Sequence, residues 1–290
     1  MIPSFDRIGL GEVEIVRILD GTFRVDGGAM FGVVPRTLWA AKAVPDRENR
    51  ITLALNCYLV RTPEATVLLD TGVGPDVGRR HADFYSFERR PGLFESLESL
   101  GLAPGDIDFV VNSHLHFDHC GGNTLKTADG AWAPAFPRAK YVVQRGEWER
   151  ALHPVERDRP SYMPARLRPL LDAGRLSLID GDAAIAPGVE AVVVAGHTSF
   201  HQGVRVSSAG RTFFYAADAV PTAAHVDLDY IMSFDLYPVD TFEAKKALLA
   251  RAEAGGWVLG FSHDLQIPFG RLRRSGKRLD VVPSPEGKND

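Results

Sequence analysis

A short run near the middle of the chain, His-Leu-His-Phe-Asp-His at residues 114–119, constrains the fold more than any other feature. It contains three imidazoles and one carboxylate, although the whole chain of 290 residues has only nine histidines. Independent placement is a poor explanation for such a cluster, and these side chains are typical metal ligands. The fold is therefore expected to bring further ligands close to this run.

The run follows a pattern typical of a buried strand, at residues 107–112. On an extended backbone His114 and His116 point to the same side, whereas a turn beyond them lets Asp118 and His119 point to a second position nearby. The spacing predicts that one segment supplies ligands to two metal ions.

Three further candidate ligands follow apolar runs elsewhere in the chain: His197, Asp218 and His263. A carboxylate such as Asp218 can bridge two cations, and neutral imidazoles suit zinc. Taken singly, each residue is explained as well by a buried polar group that satisfies hydrogen bonds. Structural zinc sites usually use Cys and four ligands per metal, whereas this set leaves positions for water, which favours catalysis.

Composition limits which binding partners and which cellular compartment are expected for this protein. A net charge of −4 does not favour DNA or RNA, so a small molecule is the expected partner. The two cysteines, Cys57 and Cys120, cannot build a disulfide framework, and residues 1–10 lack a secretory pattern. No apolar run is long enough to cross a bilayer. We expect a cytoplasmic protein with no membrane partner.

Short β-branched or aliphatic runs predict strands, and two segments have helical periodicity. The predicted strands are 13–19, 53–60, 66–69, 109–112, 141–144, 189–195, 203–207 and 212–216, and the predicted helices are 92–100 and 240–254. Consecutive strands without intervening helices favour an α/β fold, a four-layer αββα sandwich with two mixed sheets face to face and helices outside.

We find no repeat and no long linker, so residues 1–290 are expected to form a single domain. Residues 21–50 are predicted to be an insertion that forms a lid or a homodimer contact, and residues 271–290 a solvated C-terminal extension. Three interpretations stay open for the apolar residues of the insertion: ordinary core, a wall for an acyl chain, or a dimer contact. These residues are Met30, Phe31, Val33, Val34, Leu38 and Trp39.

Taken in order, several motifs resemble those of the metallo-β-lactamase superfamily, over residues 50 to 265. They are Leu-Asp-Thr-Gly at 69–72, the run at 114–119, Gly-His-Thr at 196–198, Asp218 and His263. Within that superfamily, residues 26–35 and 113–119 are similar to those of quorum-quenching N-acyl homoserine lactonases with a long N-terminal insertion.

The resemblance implies two divalent metal ions, with zinc expected and Co, Mn or Fe as alternatives. It assigns one metal to His114, His116 and His197, the other to Asp118, His119 and His263, and the bridging position to Asp218. Asp70 would lie behind the ligands, and we expect His201, four residues after His197, to orient that imidazole.

The resemblance also implies the chemistry of a lactonase. A metal-bridging hydroxide would attack the lactone carbonyl, and Asp118 would orient the hydroxide or pass a proton to the leaving oxygen. The substrate would contain an apolar acyl chain, for which Met30 and Phe31 are candidate contacts.

The chain departs from the family at one position. Many of these lactonases have a substrate-binding tyrosine three residues after the bridging aspartate, where this chain has Pro221. Three residues of the following loop are candidate replacements: His225, Tyr230 and Tyr237. Two alternatives to a lactonase remain, an organophosphate or aryl-ester hydrolase of the same fold and a metal-dependent binding protein without turnover. A long apolar channel would favour acyl-lactones, and a compact aromatic cup would favour the other esters.

Overall fold

The computed structural model describes residues 5–276 and 278–284, which form two large sheets, a small two-stranded ribbon and flanking helices. The strands are β1 (Arg7–Leu10), β2 (Val13–Asp26), β3 (Arg50–Arg61), β4 (Thr66–Leu69), β5 (Phe109–Val111), β6 (Thr124–Lys126), β7 (Trp132–Pro134), β8 (Lys140–Gln144), β9 (Leu176–Ile179), β10 (Ala183–Ala186), β11 (Val189–Val193), β12 (Gln202–Ser208), β13 (Arg211–Tyr215), β14 (Val258–Gly260), β15 (Phe269–Ser275) and β16 (Arg278–Pro283). The helices are α1 (Gly27–Phe31), α2 (Arg36–Trp39), α3 (Arg79–Tyr85), α4 (Leu93–Ser99), α5 (Phe117–Cys120), α6 (Arg145–Leu152), α7 (Pro164–Asp172) and α8 (Pro238–Ala254).

Both large sheets have seven strands and mixed direction. The first has the order β1-β2-β3-β4-β5-β8-β9, antiparallel as far as β4 and parallel from β4 to β9. The second runs from β10 to β16 in sequence order, and its only parallel pair among the described strands is β13 with β14. The remaining strands, β6 and β7, form the ribbon.

The main core lies between the two sheets. The first sheet contributes side chains such as Tyr58, Leu69 and Val111, and the second contributes Val204 and Phe213. Each large apolar side chain buried in this way is worth about 1.5–3 kcal/mol relative to the exposed state. The two inner faces therefore hold the sheets together and fix how their edges align.

Helices cover the outer faces and complete the four layers. Leu93 and Leu97 of α4 pack on the outer face of the first sheet. Leu248 and Leu249 of α8 pack on the outer face of the second, together with Phe214 of β13. The spacing of buried positions along α8 matches the helical period, and Pro238 at its first turn is compatible with a helix start. The predicted αββα sandwich is confirmed.

Two predicted segments differ from expectation in detail. In the segment 21–50, β2 continues to Asp26 and pairs with β3 as far as Arg50, so the first part of this segment is sheet. Residues 271–275 and 278–283, expected to extend into solvent, belong to β15 and β16 of the second sheet. Leu272 and Val281 pack against its outer apolar cluster, and this contact keeps the hairpin on the sheet. Residues 285–290 lie outside the described residues.

Within the described part of the chain, no helix combines the length and the apolar character that a bilayer crossing requires.

Tyr58 connects the two halves by hydrogen bonds as well as by packing, and this connection can be tested. The single proton of its buried hydroxyl faces two carbonyl oxygens, that of Phe261 just after β14 (3.0 Å) and that of Pro268 just before β15 (2.7 Å). We expect Tyr58→Phe to lower the free energy of unfolding by about 1–2 kcal/mol, measured by chemical denaturation.

Tyr237→Phe is the matched control, because the hydroxyl of Tyr237 only accepts a 3.3 Å bond from Arg150 at the surface. Its effect should stay within about 0.5 kcal/mol. Equal losses in the two variants would contradict a special role for the Tyr58 hydroxyl.

Candidate metal centre

The candidate ligands follow strands of both sheets and meet at one edge of the sandwich. The run 114–119 follows β5, and His197, Asp218 and His263 follow β11, β13 and β14. The carboxyl ends of β13 and β14 lie at the same edge because these two strands are parallel. Because the two sheets pack face to face, loops that follow strands of both sheets meet at this edge and form the site.

The structure brings all seven proposed ligands together in three overlapping groups. Within each group, one donor atom per residue lies within 4.8 Å of the others. The groups are His114, His116 and His197; His114, His119 and Asp218; and Asp118, His119 and His263.

Asp218 lies between the two sets of imidazoles. Its Oδ1 is 3.2 Å from Nε2 of His119 and 3.2 Å from Nε2 of His263, and its Oδ2 is 3.5 Å from Nε2 of His197. Ser262 donates a 2.9 Å hydrogen bond to Oδ1 and fixes the orientation of the carboxylate. One carboxylate oxygen thus faces each set, an arrangement suited to a bridging ligand.

Most of the imidazoles are fixed through the ring nitrogen that points away from the centre. The Nδ1 contacts are His114 to Ser113 Oγ (3.0 Å), His119 to Asp70 Oδ2 (2.8 Å), His197 to Asp235 Oδ1 (2.7 Å) and His263 to the Ala54 carbonyl (2.8 Å). Such contacts fix the tautomer and the ring orientation of metal-binding histidines. His116 differs, since its Nδ1 faces Nε2 of His197 at 3.1 Å.

The inner ring nitrogens fit a metal. Nε2 of His114 and of His116 is buried and has no hydrogen-bond partner. Buried polar atoms without partners are rare in folded proteins and call for an explanation such as an ion. The donor set, five imidazoles and two carboxylates, is the type that divalent zinc and its neighbours bind.

The electrostatics of the site agree with this donor set. Burial and the neighbouring imidazoles of His119 and His197 lower the pKa of His114 and His116, which favours the neutral form that binds metals. At His119 burial acts in the same direction, but the carboxylates of Asp218 and Asp118 outweigh it and raise the pKa well above its usual value. The two carboxylates therefore favour a positive charge, from a proton or a metal ion, beside His119.

Asp70 holds the ligand run in place from behind. It accepts hydrogen bonds of 2.7 Å from the amide and from the hydroxyl of Ser113, and it contacts His119. The Tyr215 hydroxyl, from the second sheet, donates a further 2.7 Å bond. The backbone of Asp70 is left-handed, with φ of 55°. Strained residues of this kind persist only where surrounding contacts hold them.

His201 differs from the expectation that it orients His197. Its Nδ1 lies 3.1 Å from the carbonyl of Val194, and its Nε2 accepts a 3.2 Å hydrogen bond from the backbone amide of Asp218. The centroids of the His201 and His197 rings are 6.0 Å apart, so the two rings only pack edge to face. His201 fixes the backbone of the central carboxylate, while Asp235 orients His197.

Sequence reasoning missed Asp235 and also Glu147 of α6. Glu147 is fully buried and accepts hydrogen bonds from the Leu115 amide (3.1 Å), the Tyr162 hydroxyl (3.0 Å) and the Thr198 hydroxyl (2.6 Å). Burial raises the pKa of Glu147, and the hydrogen bonds from Thr198 and Leu115 oppose that rise. One carboxylate thus joins the loops that contain His116 and His197.

A cavity of about 220 Å³ opens onto the centre. His116, Asp118, His197, Asp218 and His263 form its floor. Arg157, Asp158, Ser161 and Ser233 form a polar part of the wall. The remaining wall is apolar or aromatic: Phe23, Val25, Met30, Leu53, Tyr85, Phe117, Met232, Phe234 and Leu236.

The candidate substrate contacts separate into two groups. Met30 lines this cavity, whereas Phe31, His225, Tyr230 and Tyr237 do not. Phe31 stacks on His225, with ring centroids 5.1 Å apart, and His225 contacts the Met30 carbonyl through Nε2 at 2.9 Å. The ring of Tyr230 packs edge to face on Phe31. Phe31, His225 and Tyr230 support the wall, whereas Tyr237 is exposed and contacts Arg150. The tyrosine that lines the cavity is Tyr85 of α3.

The apolar residues of the segment 21–50 also fall into two groups, buried and exposed. Met30, Phe31 and Trp39 are buried, whereas Val33 and Leu38 are 93% and 58% exposed. The ordinary-core and cavity-wall interpretations thus each describe some of its residues.

Residues 51–263 match the model of the family described as the metallo-β-lactamase superfamily. The chain is 32% identical over 168 residues to an N-acyl homoserine lactonase of Bacillus thuringiensis, which covers 54% of this chain and 60% of that relative. The chain therefore matches less than two thirds of the length of this relative.

Two solved structures share the fold over nearly the whole chain. A probable metal-dependent hydrolase from Staphylococcus aureus superposes with a TM-score of 0.88 at 25% identity, covering 96% of this chain and 99% of the other. AidC, described as a dizinc quorum-quenching lactonase, superposes with a TM-score of 0.79 at 22% identity and covers 97% of each chain.

The contact between His197 and Asp235 predicts a measurable loss of metal affinity. Asp235→Asn removes the charged acceptor of the 2.7 Å hydrogen bond and should weaken zinc binding about 10–100-fold. Competition with a chromophoric chelator measures this affinity.

Asp240→Asn, at an exposed position in the first turn of α8, is the matched control and should bind zinc as the unchanged protein does. Undiminished affinity in Asp235→Asn would exclude this hydrogen bond as an orienting contact for a metal ligand.

Proposed function

Because the chain belongs to the metallo-β-lactamase superfamily, we propose that it is a dinuclear metal-dependent hydrolase that opens the lactone ring of N-acyl homoserine lactones. The observation that most supports this proposal is the position of Asp218, with one oxygen toward His119 and His263 and the other toward His197. A carboxylate able to bridge two cations beside an open cavity is suited to two-metal hydrolysis.

The proposed ligand assignment follows these contacts. His114, His116 and His197 would hold one cation, Asp118, His119 and His263 would hold the other, and Asp218 would contact both. Zinc is the proposed metal, and Co, Mn and Fe accept the same donors. When bound, the two cations would acidify water and polarise the substrate carbonyl.

Asp118 is the proposed catalytic residue. Its Oδ2 lies 3.8 Å from Nε2 of both His119 and His263, and its side chain is partly exposed to the cavity. In lactone hydrolysis, water adds to the carbonyl carbon, the ring C–O bond breaks, and the departing alkoxide takes up the proton that the water loses. A carboxylate at this position can transfer that proton.

The cavity wall supports a substrate with an apolar part. Val25, Met30, Leu53 and Met232 present aliphatic or thioether surface close to the centre. Such surface excludes water from the reacting groups and favours an acyl chain over a charged one. The relative from B. thuringiensis is named an N-acyl homoserine lactonase, which agrees with this substrate class.

A second candidate is an aryl-ester or organophosphate hydrolase. Four aromatic residues line the cavity, namely Phe23, Tyr85, Phe117 and Phe234, and its volume is modest. Aromatic walls suit aryl leaving groups, and a two-metal centre attacks phosphorus as readily as carbon. A binding protein without turnover is less well supported, because the cavity gives a small molecule access to the centre.

Two further proposals concern the protein's surroundings. We place it in the cytoplasm, which agrees with the buried free thiols of Cys57 and Cys120. We also propose a homodimer contact through the exposed apolar residues of the insertion, Val33, Leu38 and Val44.

The substrate assignment can be tested with purified enzyme of known metal content. N-acyl homoserine lactones of short and long chain, simple lactones, aryl esters and paraoxon-like triesters are compared by kcat/KM. We expect the homoserine lactones to be the best substrates. A clear preference for aryl esters or triesters would favour the second candidate, and failure to open any lactone would refute the lactonase proposal.

Two substitutions test the mechanism. His116→Ala and Asp118→Ala should each lower kcat/KM for the best substrate at least about a hundredfold, because a ligand or the proton-transferring carboxylate is lost. His153→Ala, at an exposed position directly after α6, is the control. Circular dichroism establishes that the variants stay folded, and undiminished turnover in metal-loaded variants would contradict the mechanism.

A further inference from the structure

The polar part of the cavity wall contains a carboxylate that the proposed mechanism does not use. Asp158 lies in the loop between α6 and α7 and lines the same cavity as Asp118 and His263. Only 5% of its surface is exposed, and neither carboxylate oxygen has a hydrogen-bond partner in the protein. Buried carboxylates in folded proteins nearly always have such partners.

No local structural role accounts for Asp158. It precedes the short 3-10 turn Arg159–Ser161, where an aspartate commonly caps the first amides, but its side chain makes no capping bond. The nearby guanidinium groups have other partners. Arg157 donates to the Ser233 carbonyl (2.8 Å), and Arg150 donates to the Tyr237 hydroxyl (3.3 Å).

Leaving this group buried has an energetic cost. Burial raises the pKa of Asp158, and the charge of Arg150 opposes that rise only in part. A hydrogen-bond donor that enters the cavity would remove the cost. Most of the other wall residues are apolar and form no hydrogen bond with a ligand. Asp158 can therefore distinguish ligands of similar shape by whether they present a hydrogen-bond donor.

We infer that Asp158 is a specificity-determining residue that accepts a hydrogen bond from an N–H group of the substrate. An N-acyl homoserine lactone has such a donor in the amide beside its ring, whereas simple lactones, aryl esters and phosphotriesters have none. Asp158 would thus select acylamino-lactones from the other compounds that a two-metal centre can hydrolyse. This inference rests on the proposed lactonase function.

The test compares two substrates that differ only at the proposed donor. One is N-hexanoyl homoserine lactone, and the other is its analogue with CH₂ in place of the amide N–H. The ratio of the two kcat/KM values is measured on each preparation of metal-loaded enzyme. This ratio does not depend on the fraction of active enzyme, so partial misfolding of a variant does not affect it.

We expect the unchanged enzyme to prefer the amide by at least about tenfold, as a hydrogen bond to a charged group implies. Asp158→Leu should bring the ratio close to one, and Asp158→Asn, which keeps one acceptor oxygen, should retain part of the preference. Glu156→Gln, at an exposed position in the same loop, is the matched control and should leave the ratio unchanged.

The possible failures are distinguishable. If the unchanged enzyme opens both lactones equally well, or if Asp158→Leu keeps the preference, the inference is wrong and the lactonase proposal stands. If the unchanged enzyme opens neither lactone, the lactonase proposal itself is wrong, and the inference falls with it.

Discussion

The hydrogen bonds of Asp70 are the constraint on which the rest of the site depends. This one carboxylate contacts Ser113 and His119 of the ligand run and Tyr215 of the second sheet. It is 1% exposed, so each of these bonds forms in a region of low dielectric, where a missing partner is costly. The apolar core brings the sheets together. Asp70 then fixes the position of the ligand run of the first sheet relative to the second sheet, as a metal centre requires.

A second carboxylate, Glu147, provides the same kind of support from the side of α6. Its three hydrogen bonds join the backbone beside His116, the loop after α6 and the loop of His197. Polar networks of this type are favourable only when all members are satisfied. The ligands are therefore positioned by groups that never contact the metal, and these groups belong to elements distant from one another in the sequence.

The sequence indicates candidate ligands that the structure brings together, because the ligand run and the three further candidates each follow an apolar run, and strand ends converge in a sandwich of this kind. Asp235 has no such signal: it lies 38 residues from the histidine it orients, in a loop without a local pattern. His201 shows the limit of arguments from spacing, since its position suggested His197 but its side chain contacts the Asp218 backbone. The strands β15 and β16 were missed because charged residues mask the alternation of Leu272, Leu279 and Val281.

Different parts of the chain supply the cavity wall and the proposed metal ligands. Beyond the bulge at Leu19 and Thr22, β2 contributes Phe23 and Val25 to the cavity wall, and α1 adds Met30, whereas every proposed ligand lies after residue 113. The match to the family model begins at residue 51, so these wall residues precede the matched segment. Substitutions at Val25 and Met30 would change the wall that a substrate contacts, whereas Phe23 packs edge to face on His263 and connects the wall to a proposed ligand. The choice of substrate and the hydrolytic chemistry therefore depend on side chains from different parts of the chain.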